Sequence, residues 1–203
     1  MSPRTYNRTL KIAAAEAARR RIVEAAAELH AAHGARGTSH AMIASRAGVS
    51  IPTVYKYFPT ANDLIPACTG LVSSRLPVAL DAAIFDGHPR VADRVRVLAL
   101  ALFRVHEFLA PWLRWTAADA EALPALRSFL ESGHEQRSRL IRKALQPPGG
   151  RAPAKALVLL AETLLDYPSW RTLTSGGLTT ENAAAAVAAA VLLLERSSHE
   201  HAH

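Results

Sequence analysis

The sequence predicts an all-α fold in two parts: an N-terminal three-helix domain with a helix-turn-helix, and a C-terminal helical domain. Three observations predict it. No alternating run of β-branched residues indicates a strand. Serine and glycine residues between positions 34 and 64 outline two short helices joined by a tight turn. Beyond residue 76, prolines and glycines separate several apolar stretches of helical character.

The chain opens with a basic segment and a long helix. Residues 1–12 are expected to form a basic, flexible arm; an arm that reaches a DNA groove and an unbound tail both fit it. From Ala13 to His33, apolar residues at helical spacing predict the first helix, with a stripe of Ile22, Ala25, Ala26 and Leu29. Gly34 is expected to end this helix.

Two short helices follow around a glycine turn. Ser39 is a good N-cap for the first of them. Gly48 lies where that helix must stop, because glycine enters the left-handed region freely. Ser50 caps the second helix, and Pro52 fits its first turn, where a missing N–H is harmless.

The second short helix has one apolar face and one polar face. Val54 and Phe58 are four residues apart, so both can face inward. Thr53, Lys56 and Tyr57 would then face outward. A helix that presents hydroxyls and a cation beside a glycine turn is typical of a DNA-reading helix-turn-helix. The distribution of charge agrees with DNA binding by this part of the chain. Residues 1–64 hold nine Lys/Arg and four Asp/Glu, whereas the remaining residues hold fifteen Lys/Arg and thirteen Asp/Glu.

The run from Ile43 to Phe58 reads Ile-Ala, then Ala-Gly-Val-Ser, then Ile-Pro-Thr-Val-Tyr-Lys-Tyr-Phe. At this spacing it resembles the TetR family of tetracycline-repressor-like transcriptional regulators. The resemblance implies contacts to DNA from these residues: Ser39, His40, Ser50, Ile51, Pro52, Thr53, Tyr55, Lys56 and Tyr57. Among them we favour Thr53, Lys56 and Tyr57. Ala61 stands where the family usually has a lysine that meets the DNA backbone.

A fourth helix is expected from about Ala61 to Leu76. Thr60 and Asp63 have the spacing of a capping box at its start. Pro66 lies in its interior, where proline costs about 3 kcal/mol, and so predicts a kink.

The rest of the chain predicts further helices at about 78–85, 90–110, 112–120, 123–145, 152–166 and 180–196. The predicted organisation is an arm at 1–12, the helix-turn-helix domain at 13–60, a ligand-binding and dimerisation domain at 61–197, and a polar tail at 198–203.

Two C-terminal helices, Ala152–Leu165 and Thr180–Arg196, carry few polar positions and should be covered. The family resemblance implies that they form a homodimer interface; core helices of a monomer are the alternative. The candidate interface residues are Leu157, Leu160, Leu164, Ala186, Val187, Ala190 and Leu194.

The resemblance also implies a small-molecule effector in the C-terminal domain. The large side chains available for an apolar or aromatic effector are Phe103, His106, Phe108, Trp112, Trp115, Phe129, Tyr167 and Trp170. The candidate polar anchors are His106, Glu107 and Asp119. Ordinary packing in a core is the better explanation of any single aromatic residue, whereas the group as a whole favours an apolar or aromatic effector.

Catalytic, cofactor and metal sites are not expected. The histidines lack zinc-ligand spacing, and no nucleophile or phosphate-loop motif occurs in the sequence. The longest apolar run, Ala183–Leu194, is too short to span a bilayer, and the opening residues lack a signal peptide, so we expect a cytoplasmic protein.

The predicted function is therefore a homodimeric repressor that a small effector releases from a palindromic operator in double-stranded DNA. An activator or a ligand-independent regulator of the same fold is the main alternative. Two further alternatives are a protein that coats DNA without specificity and an enzyme that uses the C-terminal cavity.

Overall fold

The computed structural model describes residues 3–147 and 149–200, with side chains described for 8–147 and 149–197. The described chain is helical, as predicted, and contains no strand. The α-helices are α1 (Pro3–His33), α2 (His40–Ala47), α3 (Ile51–Tyr57), α4 (Ala61–Ser73), α5 (Val91–Leu113), α6 (Thr116–Ala122), α7 (Pro124–Leu145), α8 (Lys155–Leu164), α9 (Tyr167–Ser175) and α10 (Thr180–Glu200).

The chain divides into two compact units. The first unit takes in the chain up to Arg75 together with Pro111–Leu130. The second unit takes in Leu76–Ala110 and the chain from Glu131 onwards. The first unit therefore includes residues that the sequence placed in the C-terminal domain.

The first unit is organised around the packing of α1 to α4. Ile22, Ile43, Val54 and Leu64 come one from each of these helices and are all at most 2 % exposed. A smaller cluster joins Ala35 and Ile65 to two leucines of the 111–130 segment, Leu123 and Leu126. The core of the second unit contains Leu98, Leu102, Phe103, Ile141, Leu165 and Val191.

Several helix boundaries differ from the prediction. Helix α1 begins at Pro3, so residues of the expected arm are helical. The predicted helix 78–85 is only a 3₁₀ turn, Ala82–Phe85, because Asp81 binds the Ala83 N–H and starts a new element there. Helix α4 runs without interruption through Pro66 and ends at Ser73. Helix α9 was not predicted.

Candidate nucleic-acid interface

The α2–α3 pair is set by local capping bonds that the sequence predicts. The Ser39 Oγ accepts the Met42 N–H at 3.2 Å, and the Ser50 Oγ accepts the Thr53 N–H at 3.3 Å. Between the helices Gly48 has φ +62° and ψ +44°, the left-handed conformation that glycine adopts without steric cost. Each serine cap contributes about 1 kcal/mol to its helix. Helix α3 thus has a defined start relative to α2.

Helix α3 presents a mixed apolar and polar face to solvent. Ile51 is 44 % exposed and Tyr55 is 51 % exposed, and Pro52 and Lys56 are also exposed. Val54 is fully buried on the opposite side. Apolar groups at the start of such a helix suit thymine methyl groups, while hydroxyls and a cation suit phosphates and base edges.

Some of the predicted contact residues already have partners within the protein. The Thr53 hydroxyl lies 2.7 Å from the Ser50 hydroxyl, and the Lys56 Nζ lies 5.7 Å from the centre of the Tyr57 ring. Thr53 and Tyr57 are half-buried. These contacts limit the side-chain orientations that Thr53 and Lys56 adopt.

His40, at the first position of α2, makes two contacts with α3 and its C-cap. Its imidazole stacks on the Tyr55 ring with centroids 4.4 Å apart and an interplanar angle of 4°. Its Nε2 lies 2.8 Å from the Phe58 carbonyl oxygen. A carbonyl oxygen only accepts, so Nε2–H is the donor. The guanidinium of Arg19, on α1, lies over the Phe58 ring at 5.4 Å.

The fourth helix starts as the sequence predicts. The Asp63 carboxylate accepts the Thr60 N–H at 2.9 Å, and the Thr60 hydroxyl accepts the Asp63 N–H at 3.2 Å. This reciprocal capping box defines the turn after α3.

Three candidate effector residues belong to the first unit and bond to α1 and the turn that follows it. The Trp112 Nε1 donates to the Ala27 carbonyl at 2.9 Å, and the Trp115 Nε1 donates to the Ala31 carbonyl at 3.1 Å. Asp119 is 6 % exposed, and its two oxygens accept backbone N–H groups of the turn. These distant partners had no sequence signal.

The turn after α1 begins with the buried residues Gly34 and Ala35, which lie near the ionisable side chains of His30 and Asp119. Gly34 has φ +74°, and a Cβ built on it would lie 3.0 Å from an Asp119 carboxylate oxygen. Burial lowers the pKa of His30 to about 4, while the charge of Asp119 opposes that shift. His30 is therefore neutral in the folded protein near pH 7.

Four other candidate effector residues come together in the second unit. The ring centroids of Phe103 and Tyr167 lie 6.0 and 6.1 Å from that of His106, and Trp170 stacks on Tyr167 at 5.6 Å. Phe103 is fully buried, whereas Phe108 is half-buried. Phe129 belongs to the first unit and is 42 % exposed.

His106 is the polar member of this aromatic group. Its Nε2 lies 3.0 Å from the Leu165 carbonyl oxygen, so it carries the proton. Its Nδ1 is buried and has no hydrogen-bond partner among the residues that the structure describes. Burial lowers its pKa below the ordinary value, with the Leu165 bond acting in the opposite direction. Nδ1 is thus an acceptor beside the rings of this group, and the charges of Arg137 and Asp166 also act on the imidazole.

The candidate dimerisation residues divide between the core and the surface of the second unit. Leu157 and Val187 are buried in its core, while Leu160 and Ala186 are exposed. Leu164, Ala190 and Leu194 are half-buried. An open, mainly apolar groove of about 450 Å³ lies on this unit and is lined by Leu164, Pro168, Ser169, Thr172, Leu173, Ala186, Val187 and Ala190.

Within the described residues, no group of three or more His, Cys, Asp or Glu side chains is placed to hold a metal ion. Over the same residues, no helix is both long and apolar enough to cross a membrane. The C-terminal histidines beyond residue 200 lie outside the described part.

Comparisons with known proteins agree with the predicted family. Residues 22–68 match the family model of bacterial regulatory proteins, tetR family. A comparison with curated proteins found no match.

Three solved structures share the fold. A protein described as a TetR-family transcriptional regulator, from Mesorhizobium loti MAFF303099, is 21 % identical with a TM-score of 0.58, over 89 % of this chain and 97 % of that one. A protein described as a fatty acid metabolism regulator, from Clostridium perfringens, is 17 % identical with a TM-score of 0.57, over 85 % of this chain and 96 % of that one. A TetR-like transcriptional regulator from Rhodococcus sp. RHA1 is 20 % identical with a TM-score of 0.54, over 86 % and 93 %.

Proposed function

We propose that this chain, which carries the N-terminal domain of the tetR family and the fold of TetR-like transcriptional regulators, is a sequence-specific DNA-binding regulator. In its most specific form, the proposal is a homodimeric repressor that a small apolar or aromatic effector releases from a palindromic operator. The matched family consists of bacterial regulatory proteins, which agrees with the expectation that the chain is not an enzyme.

The observation that carries the proposal is the capped α2–Gly48–α3 arrangement with its exposed α3 face. Helix α3 is too short to be stable alone, and two serine caps and the core side chain Val54 hold it in place. Its solvent face presents the exposed side chains of Ile51, Tyr55 and Lys56. A face of this chemistry on a supported helix suits the major groove.

The phosphate contacts follow from the same geometry. The Ser39 Oγ uses a lone pair to cap α2, so its hydroxyl proton remains available for a phosphate oxygen. Exposed Arg20 and Arg21 on α1 and Lys56 on α3 supply positive charge in the same unit. Neutralised phosphates release counterions, so binding should weaken steeply with salt.

The exposed faces of α8 and α10 support a homodimer. Leu159 and Leu160 on α8 are 51 % and 47 % exposed, and Leu193 on α10 is 61 % exposed. The groove among α8, α9 and α10 adds further apolar surface, and four of the seven candidate interface residues line it. Burying the remaining surface of a half-exposed leucine stabilises an assembly by about 1 kcal/mol. A second copy of the chain would cover this face and supply the second recognition helix that a palindrome requires.

The aromatic group around His106 supports the effector part of the proposal. A neutral imidazole with a free acceptor nitrogen among Phe103, Tyr167 and Trp170 suits an apolar or aromatic molecule that donates one hydrogen bond.

The decisive experiment is a mobility shift with the purified full chain and the DNA that flanks its own gene, in excess random competitor. A discrete complex that resists competitor supports a specific regulator, while a protein that coats DNA would lose the probe. The complex then serves to screen apolar and aromatic compounds that dissolve it. Transcript levels in a deletion strain separate a repressor from an activator. Turnover of a bound compound, instead of its recovery intact, would support an enzyme.

A further inference from the structure

The recognition helix is held at both ends, and the second attachment depends on His40. The N-terminal end of α3 is defined by Gly48 and by the Ser50 cap. At its C-terminal end, the backbone carbonyl of Phe58 accepts the His40 Nε2–H at 2.8 Å. A helix of seven residues does not hold its own orientation, so an attachment at each end restricts how α3 tilts relative to α2.

The same imidazole also restrains a side chain on the DNA-facing surface. It stacks on Tyr55 with an interplanar angle of 4°, although Tyr55 is 51 % exposed. An exposed tyrosine without such a neighbour would sample several rotamers and lose that freedom on binding DNA. The stack removes part of that freedom before DNA arrives.

We propose that His40 is a positioning residue for DNA binding, which acts through Tyr55 and the Phe58 carbonyl and does not itself contact DNA. The inference rests on the proposed DNA-binding function and adds a role that the family resemblance did not suggest, since the resemblance made His40 a direct contact. The geometry carries it: one half-buried ring is engaged by its face and by its Nε2–H at the same time. The hydroxyl of Tyr55 is thereby preorganised for a contact with DNA.

The role is not simply structural stabilisation. His40 is half-buried and Tyr55 is exposed, so their contact removes little apolar surface from water, unlike the fully buried Ile22 and Val54. Loss of His40 should therefore reduce DNA affinity much more than it lowers the melting temperature.

The test uses the full chain and a DNA sequence that the wild-type protein selects from a random library. Dissociation constants are measured for H40A, Y55F, the double variant H40A/Y55F, and two partial replacements. H40F keeps an aromatic ring for the stack, and H40Q keeps a side-chain N–H donor. Exposed His33 on α1 supplies the matched control, H33A. Melting temperatures are recorded for every variant.

We expect Y55F to weaken binding at least about tenfold, which is the effect of losing one hydrogen bond to a charged group. H40A should weaken binding by a similar factor, because Tyr55 and the C-terminal end of α3 lose their restraint. The double variant should be weaker than either single variant but by less than the two effects combined, because the stack with Tyr55 is counted in both single variants while the Phe58 contact is lost only with His40. H40F or H40Q should recover part of the affinity, and H33A should bind as wild type. The slope of log affinity against log salt should be unchanged in H40A, since no cation that meets phosphate is removed.

Three results would overturn the inference. H40A could bind as tightly as wild type. The two single effects could add in the double variant, which would make His40 independent of Tyr55. The salt slope could fall by about one in H40A, which would make His40 a direct cationic contact to phosphate. If the wild-type chain selects no sequence at all, the proposed function itself fails and the positioning role fails with it.

Discussion

Replacing Asp119 by alanine should destabilise the first unit although the residue lies far along the chain from the helices it supports. Its Oδ2 accepts the Ala35 N–H at 2.7 Å, and its Oδ1 accepts the Arg36 N–H at 3.1 Å. Ala35 is 5 % exposed, so its N–H loses its partner in a place that water does not reach, whereas Arg36 is exposed. A hydrogen bond to a charged group contributes about 1.5–3 kcal/mol, so the free energy of unfolding should fall by about 3 kcal/mol.

Urea denaturation at pH 7, monitored by tryptophan fluorescence, gives the free energy of unfolding, and thermal denaturation gives the melting temperature. For a chain of this length, about 3 kcal/mol corresponds to a melting temperature lower by roughly 6–12 °C. Asp119→Asn should show a smaller loss, since its amide keeps one acceptor oxygen. Exposed Asp86 in the 3₁₀ turn region provides the control, Asp86→Ala. The reasoning is refuted if Asp119→Ala loses less than about 1 kcal/mol or behaves like the control.

Three further predictions concern DNA, assembly and pH. Lys56→Ala should weaken operator binding and reduce the salt slope by about one if its cation neutralises a phosphate; Lys155→Ala on α8 is the control, and unchanged affinity excludes the contact. Ala186→Glu should yield monomers with poor DNA binding, because Ala186 is exposed in the single chain and the new carboxylate would become buried in the proposed dimer interface. The control, Ala82→Glu, should sediment as a dimer. If Ala186→Glu also sediments as a dimer, the interface lies elsewhere. Stability should fall as the pH drops from about 6.5 to about 4, because burial lowers the pKa of His30 to about 4 and the unfolded chain takes up the proton first. The full shift of the His30 pKa corresponds to about 3 kcal/mol of unfolding free energy. His30→Gln should flatten the dependence of the unfolding free energy on pH in that window, and His106 should leave a smaller dependence of the same sign. An unchanged pH dependence in this variant would contradict the role of His30.

The features of the first unit that were predictable from sequence are those set by neighbours along the chain. Ser39, Gly48 and Ser50 act within four residues of their own position, and so does the Thr60–Asp63 capping box. Capping and left-handed glycine depend on residue type alone, so a single sequence contains the signal. The break at 78–85 was missed because Asp81 starts a separate short element there. The early start of α1 was missed because residues 8–14 are exposed, so no buried apolar stripe marks this part of the helix.

The aromatic and acidic residues show the opposite case. Trp112, Trp115 and Asp119 looked like pocket residues because they are large or ionisable and lie near other aromatic residues in the sequence. The structure pairs them with carbonyls and N–H groups more than eighty positions earlier, on α1 and the turn after it. Backbone groups are the same at every residue, so no feature of the sequence at Ala27, Ala31 or Ala35 indicates such a partner.

The surface that we propose for DNA binding lies between these two cases. Residue type and helical period turned Thr53, Lys56 and Tyr57 outward, and of these only Lys56 is exposed, whereas Thr53 and Tyr57 are half-buried. Ile51 and Tyr55 are further exposed side chains of α3 in the structure. Their interactions with one another depend on distances of a few ångströms between α2 and α3, which the period does not specify. The sequence treats His40 and Tyr55 as two separate contacts, whereas the parallel stack makes them one unit with a single exposed hydroxyl. Substitutions on this surface should therefore be made in pairs, because single replacements cannot separate a side chain that meets DNA from one that only holds it in place.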